Sequence, residues 1–193
     1  MTEKITDKIV NAFIKNSLIG IEEREEYAYT ILCIIESAIT IGSLLVVGAF
    51  FREFPGTCVF CVFFFALRKR TSGFHMATFF QCYVGSILIL AAVIYLSGFL
   101  SKHNVLAWTL FLLSAIIIAI IRTVNHPNMN MSEQELSSSK KSALTILLLE
   151  ILSILFLEWL QIAQGIVIYA MMGVIACAVL LLLSKVLGQE KQI

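Results

Sequence analysis

The sequence is poor in charge and in the residues that interrupt helices. Only 14% of its 193 residues are charged, and it contains two prolines and ten glycines, whereas about 25% of a soluble domain is charged. Apolar residues make up 59% of the chain. The low charge excludes a soluble globular enzyme and a disordered chain, and the scarcity of proline and glycine argues against a β-barrel of many short strands. We therefore expect an all-α, polytopic membrane protein.

Net charge is also nearly absent, because the formal value is +1, so nothing predicts nucleic acid as a partner. The first 28 residues do not resemble a secretory signal, since charges interrupt them and a glutamate-rich run, residues 22–26, ends them. Their apolar residues recur every three or four positions, at Ile5, Ile9, Phe13, Ile14, Leu18 and Ile21. This spacing predicts an amphipathic cytoplasmic helix on the membrane surface. The alternative is a solvated helix packed on the rest of the protein.

Six apolar runs follow, at residues 29–51, 56–67, 79–100, 105–121, 143–160 and 162–184. The second run is short for a full span of about 20 residues. If all six cross and the N-terminus is cytoplasmic, twelve of the 14 Lys and Arg residues face the cytoplasm. If the second run does not cross, only five do. Because cytoplasmic loops are enriched in Lys and Arg, we predict six transmembrane helices in one membrane domain, with both termini cytoplasmic.

The five cysteines give no sign of a disulfide framework or a metal centre. They are Cys33, Cys58, Cys61, Cys82 and Cys177, all in or at the ends of the predicted spans. A cysteine in such a position is by default a small apolar filler. The Cys58/Cys61 pair forms a C-x-x-C motif, but it lacks the second half of a zinc site. We therefore expect no bound metal and no cofactor.

Cys82 differs from the other cysteines because a basic cluster, residues 68–70, and His75 precede it. Nearby positive charge, a helix N-terminus and a neighbouring base all favour a thiolate. On one continuous helix, His75 and Cys82 would share a face but lie about 10.5 Å apart along the axis, too far for proton transfer. We therefore expect a bend at Ser72–Gly73, with His75 folded back toward Cys82. The alternative is that the basic cluster only marks a membrane boundary and that the His–Cys spacing is coincidental.

The residues from Arg70 to Cys82 resemble the signature of the AgrB family, the accessory gene regulator protein B of Gram-positive bacteria. They comprise an Arg, a small residue followed by Gly73, an aromatic residue, a His, and a Cys seven positions later. The chain length, the six hydrophobic segments, the glutamate-rich N-terminal segment and the proline-containing loop before Lys140–Lys141 are also similar. The family usually has two glycines before the aromatic residue, whereas this chain has Ser72 and Gly73.

The resemblance implies an integral-membrane cysteine endopeptidase that processes a small, AgrD-like quorum-sensing propeptide. It implies His75 as the general base and Cys82 as the nucleophile, with Arg70 and Gly73 in supporting positions. An acyl-enzyme thioester on Cys82 would then pass to a thiol of the bound peptide and close a thiolactone ring. The resemblance further implies the bilayer as a partner, a cell-membrane location in a Gram-positive bacterium, and a homodimer.

Five further polar residues are candidates for supporting or substrate-binding roles. Glu36 and Glu150 are intramembrane carboxylates, about seven residues or roughly 10 Å from the cytoplasmic side. Either could orient His75 or bind a basic residue of the substrate, and the alternative is a structural partner for a nearby Lys or Arg. Gln81 is a candidate donor to the developing oxyanion. Lys140–Lys141 is a candidate substrate-binding pair.

Three other functions are compatible with a small polytopic protein. A transporter or channel is one, although the chain is short, shows no inverted repeat and has few intramembrane charges. A metal-binding membrane protein that uses His75, Cys82 and the Cys58/Cys61 pair is the second. The third is a structural membrane scaffold, in which substitution of His75 or Cys82 would have no effect.

Overall fold

The structure is a computed structural model that describes residues 2–71, 76, 78–125, 131–161 and 163–188. Over these residues it consists of seven α-helices and contains no strand. The helices are α1 (Thr2–Lys15), α2 (Arg24–Phe50), α3 (Phe54–Thr71), α4 (Phe79–Leu100), α5 (Asn104–Ile121), α6 (Glu133–Trp159) and α7 (Gln164–Val186). The prediction of an all-α protein is confirmed.

Helix boundaries follow the apolar runs where both ends of a helix are apolar. The predicted span 79–100 coincides with α4, and the predicted spans 105–121 and 162–184 differ from α5 and α7 by one or two residues at an end. The helix α2 begins at Arg24, earlier than the predicted residue 29, and carries Glu25 and Glu26 in its first turn. Acidic residues are favourable there, because the N-terminal end of a helix is partially positive.

The helix α6 begins ten residues before its apolar run, at Glu133. A capping box explains the early start. The Glu135 N–H donates to Ser132 Oγ at 3.4 Å, and the Ser132 N–H donates to the Glu135 carboxylate at 2.8 Å. These bonds satisfy two of the backbone donors that a helix leaves unpaired at its N-terminus. The apolar run therefore identified only the part of α6 that is suited to the bilayer.

Five helices, α2, α4, α5, α6 and α7, are long and apolar enough to cross a membrane. The chain is therefore a multi-pass membrane protein. The helix α3 is not one of the five, because its last turn carries three basic residues, Arg68, Lys69 and Arg70. The sixth span, like the location of α1 on a membrane surface, stays a prediction.

The chain divides into two compact units, Met1–Leu44 and Leu45–Ile193. The first unit contains α1 and most of α2, and in it the Arg24 guanidinium pairs with the Asp7 carboxylate at 2.8 Å. The second unit contains the end of α2 and the helices α3 to α7. That the whole chain forms one peptidase domain stays a prediction.

The helix α7 forms the core of the second unit. It packs against α3, α4, α5 and α6, and 67% of its most apolar stretch is buried, against 17–28% in the other four candidate spans. Large apolar side chains on the other helices remain exposed, such as Val105 at 84% and Ile120 at 75%. Exposed apolar surface of this extent is expected to face lipid.

The helices α3 and α7 run parallel in close contact. A Cβ atom at Gly56 would meet the Tyr169 ring, and a Cβ atom at Gly173 would lie 3.0 Å from the Phe64 backbone nitrogen. Further along both helices, the Cys177 thiol donates to the Phe64 carbonyl at 3.3 Å. The contacts advance in the same direction along both helices, so the C-terminal end of α3 lies beside the second half of α7.

Candidate active site

Cys82 lies in the first turns of α4. The N-cap residue Thr78 is extended, with φ −131° and ψ 150°, and its hydroxyl accepts the Gln81 N–H at 3.3 Å. The Cys82 N–H donates to the Thr78 carbonyl at 3.1 Å. This position is close to the partially positive end of the helix, where a negative charge such as a thiolate is stabilised.

Cys82 is also the one exposed cysteine of the five in the chain. Cys61 and Cys177 are buried, and Cys33 and Cys58 are half-buried. A nucleophile must be reached by its substrate, so exposure separates Cys82 from the four cysteines that fit the role of apolar filler.

Arg68 brings a positive charge to this thiol from the last turn of α3. Its guanidinium interacts electrostatically with the thiols of Cys82 and Cys177. Arg70, which the resemblance places in a supporting position, is exposed, and its backbone carbonyl accepts the Thr123 hydroxyl at 2.9 Å. A supporting role of its side chain stays a prediction. The difference in burial between the two arginines follows from helical spacing.

Arg68 lies four and seven residues after Phe64 and Cys61, which are both buried. Residues at this spacing share one face of a helix, so Arg68 belongs to the buried face of α3. Arg70 lies three residues after the buried Leu67 but has this spacing from neither Phe64 nor Cys61, so it lies further from the centre of that face. The spacing of Arg68 from Phe64 and Cys61 can be read from the sequence, but it identifies Arg68 as part of the buried face only once that face of α3 is known.

The chain between the basic cluster and Cys82 does not form one helix. The helix α3 ends at Thr71 and α4 begins at Phe79, so Cys82 starts a new helix, as a His–Cys pair requires. Gly73 and His75 lie outside the described residues. The geometry of the His75–Cys82 pair therefore stays a prediction.

Glu150 is buried in α6, with only 6% of its surface exposed. Neither of its carboxylate oxygens has a hydrogen-bond partner in the part of the chain that the structure describes. It interacts electrostatically with Cys177, the same thiol that Arg68 reaches. Glu150 and Arg68 therefore share Cys177 as a neighbour, while a role for Glu150 in the reaction stays a prediction.

The other predicted site residues lie in several places. Glu36 is half-buried in the α2 part of the first unit, where it interacts electrostatically with Glu3. Gln81 is exposed next to Cys82, where its side chain can reach a substrate bound at the thiol. Lys140 is half-buried and Lys141 exposed in the polar part of α6. Their roles in binding or catalysis stay predictions.

The described residues also bear on the metal-binding alternative. Among them, no three His, Cys, Asp or Glu side chains are grouped so as to hold a metal ion. Two of the polar groups near Cys82 that the structure describes, Arg68 and the Thr78 hydroxyl, are suited to stabilising an anion and to capping a helix.

Comparison with known proteins identifies the family of the chain. The model of the family "Accessory gene regulator B" (AgrB) matches residues 4–184, which include the start of α4 with Cys82. Neither a curated protein nor a solved structure matches the chain. The match covers nearly the whole sequence and confirms the resemblance seen between Arg70 and Cys82. The chain therefore belongs to the AgrB family, the cysteine protease-like membrane proteins that act on the AgrD propeptide in accessory gene regulator quorum sensing.

Proposed function

We propose that the chain is a membrane-embedded cysteine endopeptidase that cleaves an AgrD-like propeptide, with Cys82 as nucleophile and His75 as general base. The observation that carries the proposal is the environment of Cys82. It is the exposed cysteine, it lies at the N-terminal end of α4, and Arg68 supplies a positive charge. Each of these features favours an accessible thiolate.

In the first half of the reaction, His75 takes the proton of the Cys82 thiol. The sulfur attacks the scissile carbonyl carbon, and the carbon–nitrogen bond breaks as the proton moves from His75 to the leaving amine. The product is an acyl-enzyme thioester. Gln81 is exposed next to Cys82, and we assign its side-chain amide to the developing oxyanion.

In the second half, a thiol of the bound peptide attacks the thioester carbonyl. A new sulfur–carbon bond forms as the bond to Cys82 breaks, and Cys82 recovers a proton through His75. One thioester replaces another, so the exchange is close to neutral in free energy. Limited water at the membrane interface disfavours hydrolysis, and the product is therefore a thiolactone ring.

The site faces the cytoplasm in this proposal. Arg68 and Arg70 end α3 next to it, and Lys140 and Lys141 lie in the polar part of α6, which agrees with the enrichment of basic residues on the cytoplasmic side. The propeptide would approach along the inner leaflet, beside residues 1–28. Both termini are then cytoplasmic, while the homodimer and the Gram-positive cell membrane remain predictions from the resemblance.

Alkylation of the five cysteines in a nanodisc, followed by mass spectrometry, tests the chemistry without a substrate. We expect Cys82 to react at least about tenfold faster than Cys177 at neutral pH, because an accessible thiolate is the reactive form. His75→Ala should slow Cys82 and leave Cys33, a built-in control, unchanged. Equal reactivity of Cys82 and Cys33 in the wild-type chain would remove the chemical basis of the proposal.

Cleavage of an AgrD-like propeptide by the reconstituted chain tests the reaction itself. Cys82→Ala and His75→Ala should both abolish cleavage, whereas Cys33→Ala should remain active. The N-terminal product should be one water lighter than the linear acid, as a thiolactone is. Undiminished cleavage by Cys82→Ala would show that a different group performs the reaction.

A further inference from the structure

The connection between α5 and α6 returns to the C-terminal end of α3. The Thr123 hydroxyl donates to the Arg70 carbonyl at 2.9 Å, and the Val124 N–H donates to the Thr71 carbonyl at 3.2 Å. Carbonyls in the last turn of a helix have no partner within that helix. Residues 123–125, here called the capping segment, therefore complete the C-terminal end of α3.

Asn125 fixes the other side of the capping segment. Its side-chain N–H donates to the Met131 carbonyl, and its side-chain oxygen accepts the Met131 N–H, both at 3.1 Å. One amide thus pairs with both backbone groups of a residue six positions later, at the start of the chain into α6. Asn125 is only 4% exposed, so both bonds are shielded from competing water.

The capping segment is almost entirely inaccessible to solvent. Thr123 is 2% exposed and Val124 is 0% exposed, and Thr71, whose carbonyl it binds, is 1% exposed. Loops on a protein surface seldom bury their residues so completely. The contact is therefore a packed junction between α3 and the α5–α6 connection, which joins positions 53 residues apart in the sequence.

This junction lies next to the part of the chain that carries the proposed catalytic residues. Arg68, which interacts with the Cys82 thiol, is one turn before Thr71 in α3. His75 follows Thr71 by four residues, so its Cα atom lies within about 14 Å of the Thr71 Cα atom. At the other end of the same stretch, Thr78 begins the helix that carries Cys82.

We propose that Thr123 and Asn125 are positioning residues that hold the C-terminal end of α3, and through it Arg68 and His75, in register with Cys82. The inference rests on the proposed cysteine endopeptidase function. Neither residue contacts the reacting atoms in this proposal. Their effect is geometric, because a displacement of about 1 Å in a catalytic group can cost about 100-fold in rate.

Substitution of Thr123 gives the sharpest test. Thr123→Val removes the hydroxyl at nearly constant volume, and Thr123→Ser restores it. Thr109→Val is the matched control, since the Thr109 hydroxyl also donates to a backbone carbonyl, that of Val105, at 2.8 Å but on the exposed side of α5. We expect Thr123→Val to lower kcat for the propeptide by about tenfold or more with little change in KM.

A second readout separates positioning from simple stabilisation. In Thr123→Val, the pH dependence of Cys82 alkylation should shift toward that of His75→Ala, whereas Thr123→Ser and Thr109→Val should keep the wild-type profile. Should Thr123→Val fail to fold, Asn125→Asp provides the same comparison, because it keeps the acceptor of the Met131 N–H and replaces the donor to the Met131 carbonyl with a carboxylate oxygen. A lower melting temperature with unchanged kcat and an unchanged pH profile would show that the capping segment is only structural and would overturn the inference.

The same assays separate this inference from the proposed function. If Cys82→Ala still cleaves the propeptide, the endopeptidase proposal fails, and the inference fails with it. If Cys82→Ala is inactive while Thr123→Val and Asn125→Asp both behave as wild type, the endopeptidase proposal stands and only the positioning role is wrong.

Discussion

At the scale of single residues, the basic cluster at the end of α3 contains side chains with different surroundings. Arg68 is half-buried and interacts with the Cys82 thiol, whereas Arg70 is exposed and contributes its carbonyl to the Thr123 hydroxyl. Of these two arginines, Arg68 is therefore the one whose charge interacts with the Cys82 thiol.

We predict that Arg68→Gln slows alkylation of Cys82 at neutral pH by roughly three- to tenfold, because a nearby positive charge no longer favours the thiolate. Arg68→Lys should retain most of the rate, and Arg70→Gln, the matched control, should retain all of it. Mass spectrometry of the alkylated chain gives each rate. An equal loss in Arg68→Gln and Arg70→Gln would mean that the cluster acts only through its total charge.

The difference in burial between the two intramembrane carboxylates could not be predicted from the sequence. Glu36 and Glu150 are equivalent in the sequence, at similar depth in apolar runs. In the structure, Glu150 is buried with Ala143, Leu147 and Ile154 on one face of α6, whereas Glu36 is half-buried. In a span that is apolar on every side, no polar stripe marks the lipid-facing surface. The buried face therefore becomes visible only through packing.

At the scale of elements, the fit between α3 and α7 depends on small residues. A Cβ atom at Gly173 would lie 2.8 Å from the Phe63 Cβ and 3.0 Å from the Phe64 backbone nitrogen. Backbone atoms cannot move aside as the end of a flexible side chain can, so α3 and α7 would have to separate. In a bilayer, lipid is as apolar as the helix surface, so the hydrophobic effect does not drive two helices together. Close packing of the kind seen between α3 and α7 stabilises their association instead.

We predict that Gly173→Ala lowers the free energy of unfolding by about 1–3 kcal/mol, the usual cost of overpacking. Gly165→Ala is the control on the same helix, because a Cβ atom there has nothing within 4 Å, and it should be neutral or slightly stabilising. Thermal unfolding in detergent or nanodiscs measures both. A neutral Gly173→Ala would indicate that the two helices have room to separate.

The elements themselves were predictable from the sequence to different degrees. Apolar runs located α4 and α5 closely because both ends of these helices coincide with the ends of the runs. They located α6 poorly, because its first turns are polar and begin at a capping box, Ser132 and Glu135. The capping segment at residues 123–125 was not predictable, since hydrogen bonds between positions fifty-three residues apart leave no periodic signal in the chain.

At the scale of the whole molecule, the number of membrane spans depends on the course of α3. It runs parallel to the candidate span α7, from the contact of Gly56 with Tyr169 to that of Phe64 with Cys177. This parallel packing against a candidate span favours a helix that crosses the membrane.

The length of α3 also fits a crossing. Its 18 residues extend about 27 Å at 1.5 Å per residue, close to the hydrocarbon thickness of about 30 Å. Its basic last turn can extend its side chains to the headgroups on the cytoplasmic side. The capping segment supports the same orientation, since it joins the end of α3 to the end of α5, before the polar start of α6.

We predict that α3 is the sixth span, so that residues 53 and 69 lie on opposite sides of the membrane. In a cysteine-free background, Glu53→Cys should react with an impermeant maleimide from the same side as Lys102→Cys, and Lys69→Cys from the same side as Ser137→Cys. All four positions are exposed, so a failure to label from one side reports the membrane barrier and not burial within the protein. Labelling of Glu53→Cys and Lys69→Cys from one side would make α3 a re-entrant helix, would reduce the spans to five, and would contradict the distribution of Lys and Arg from which six were predicted.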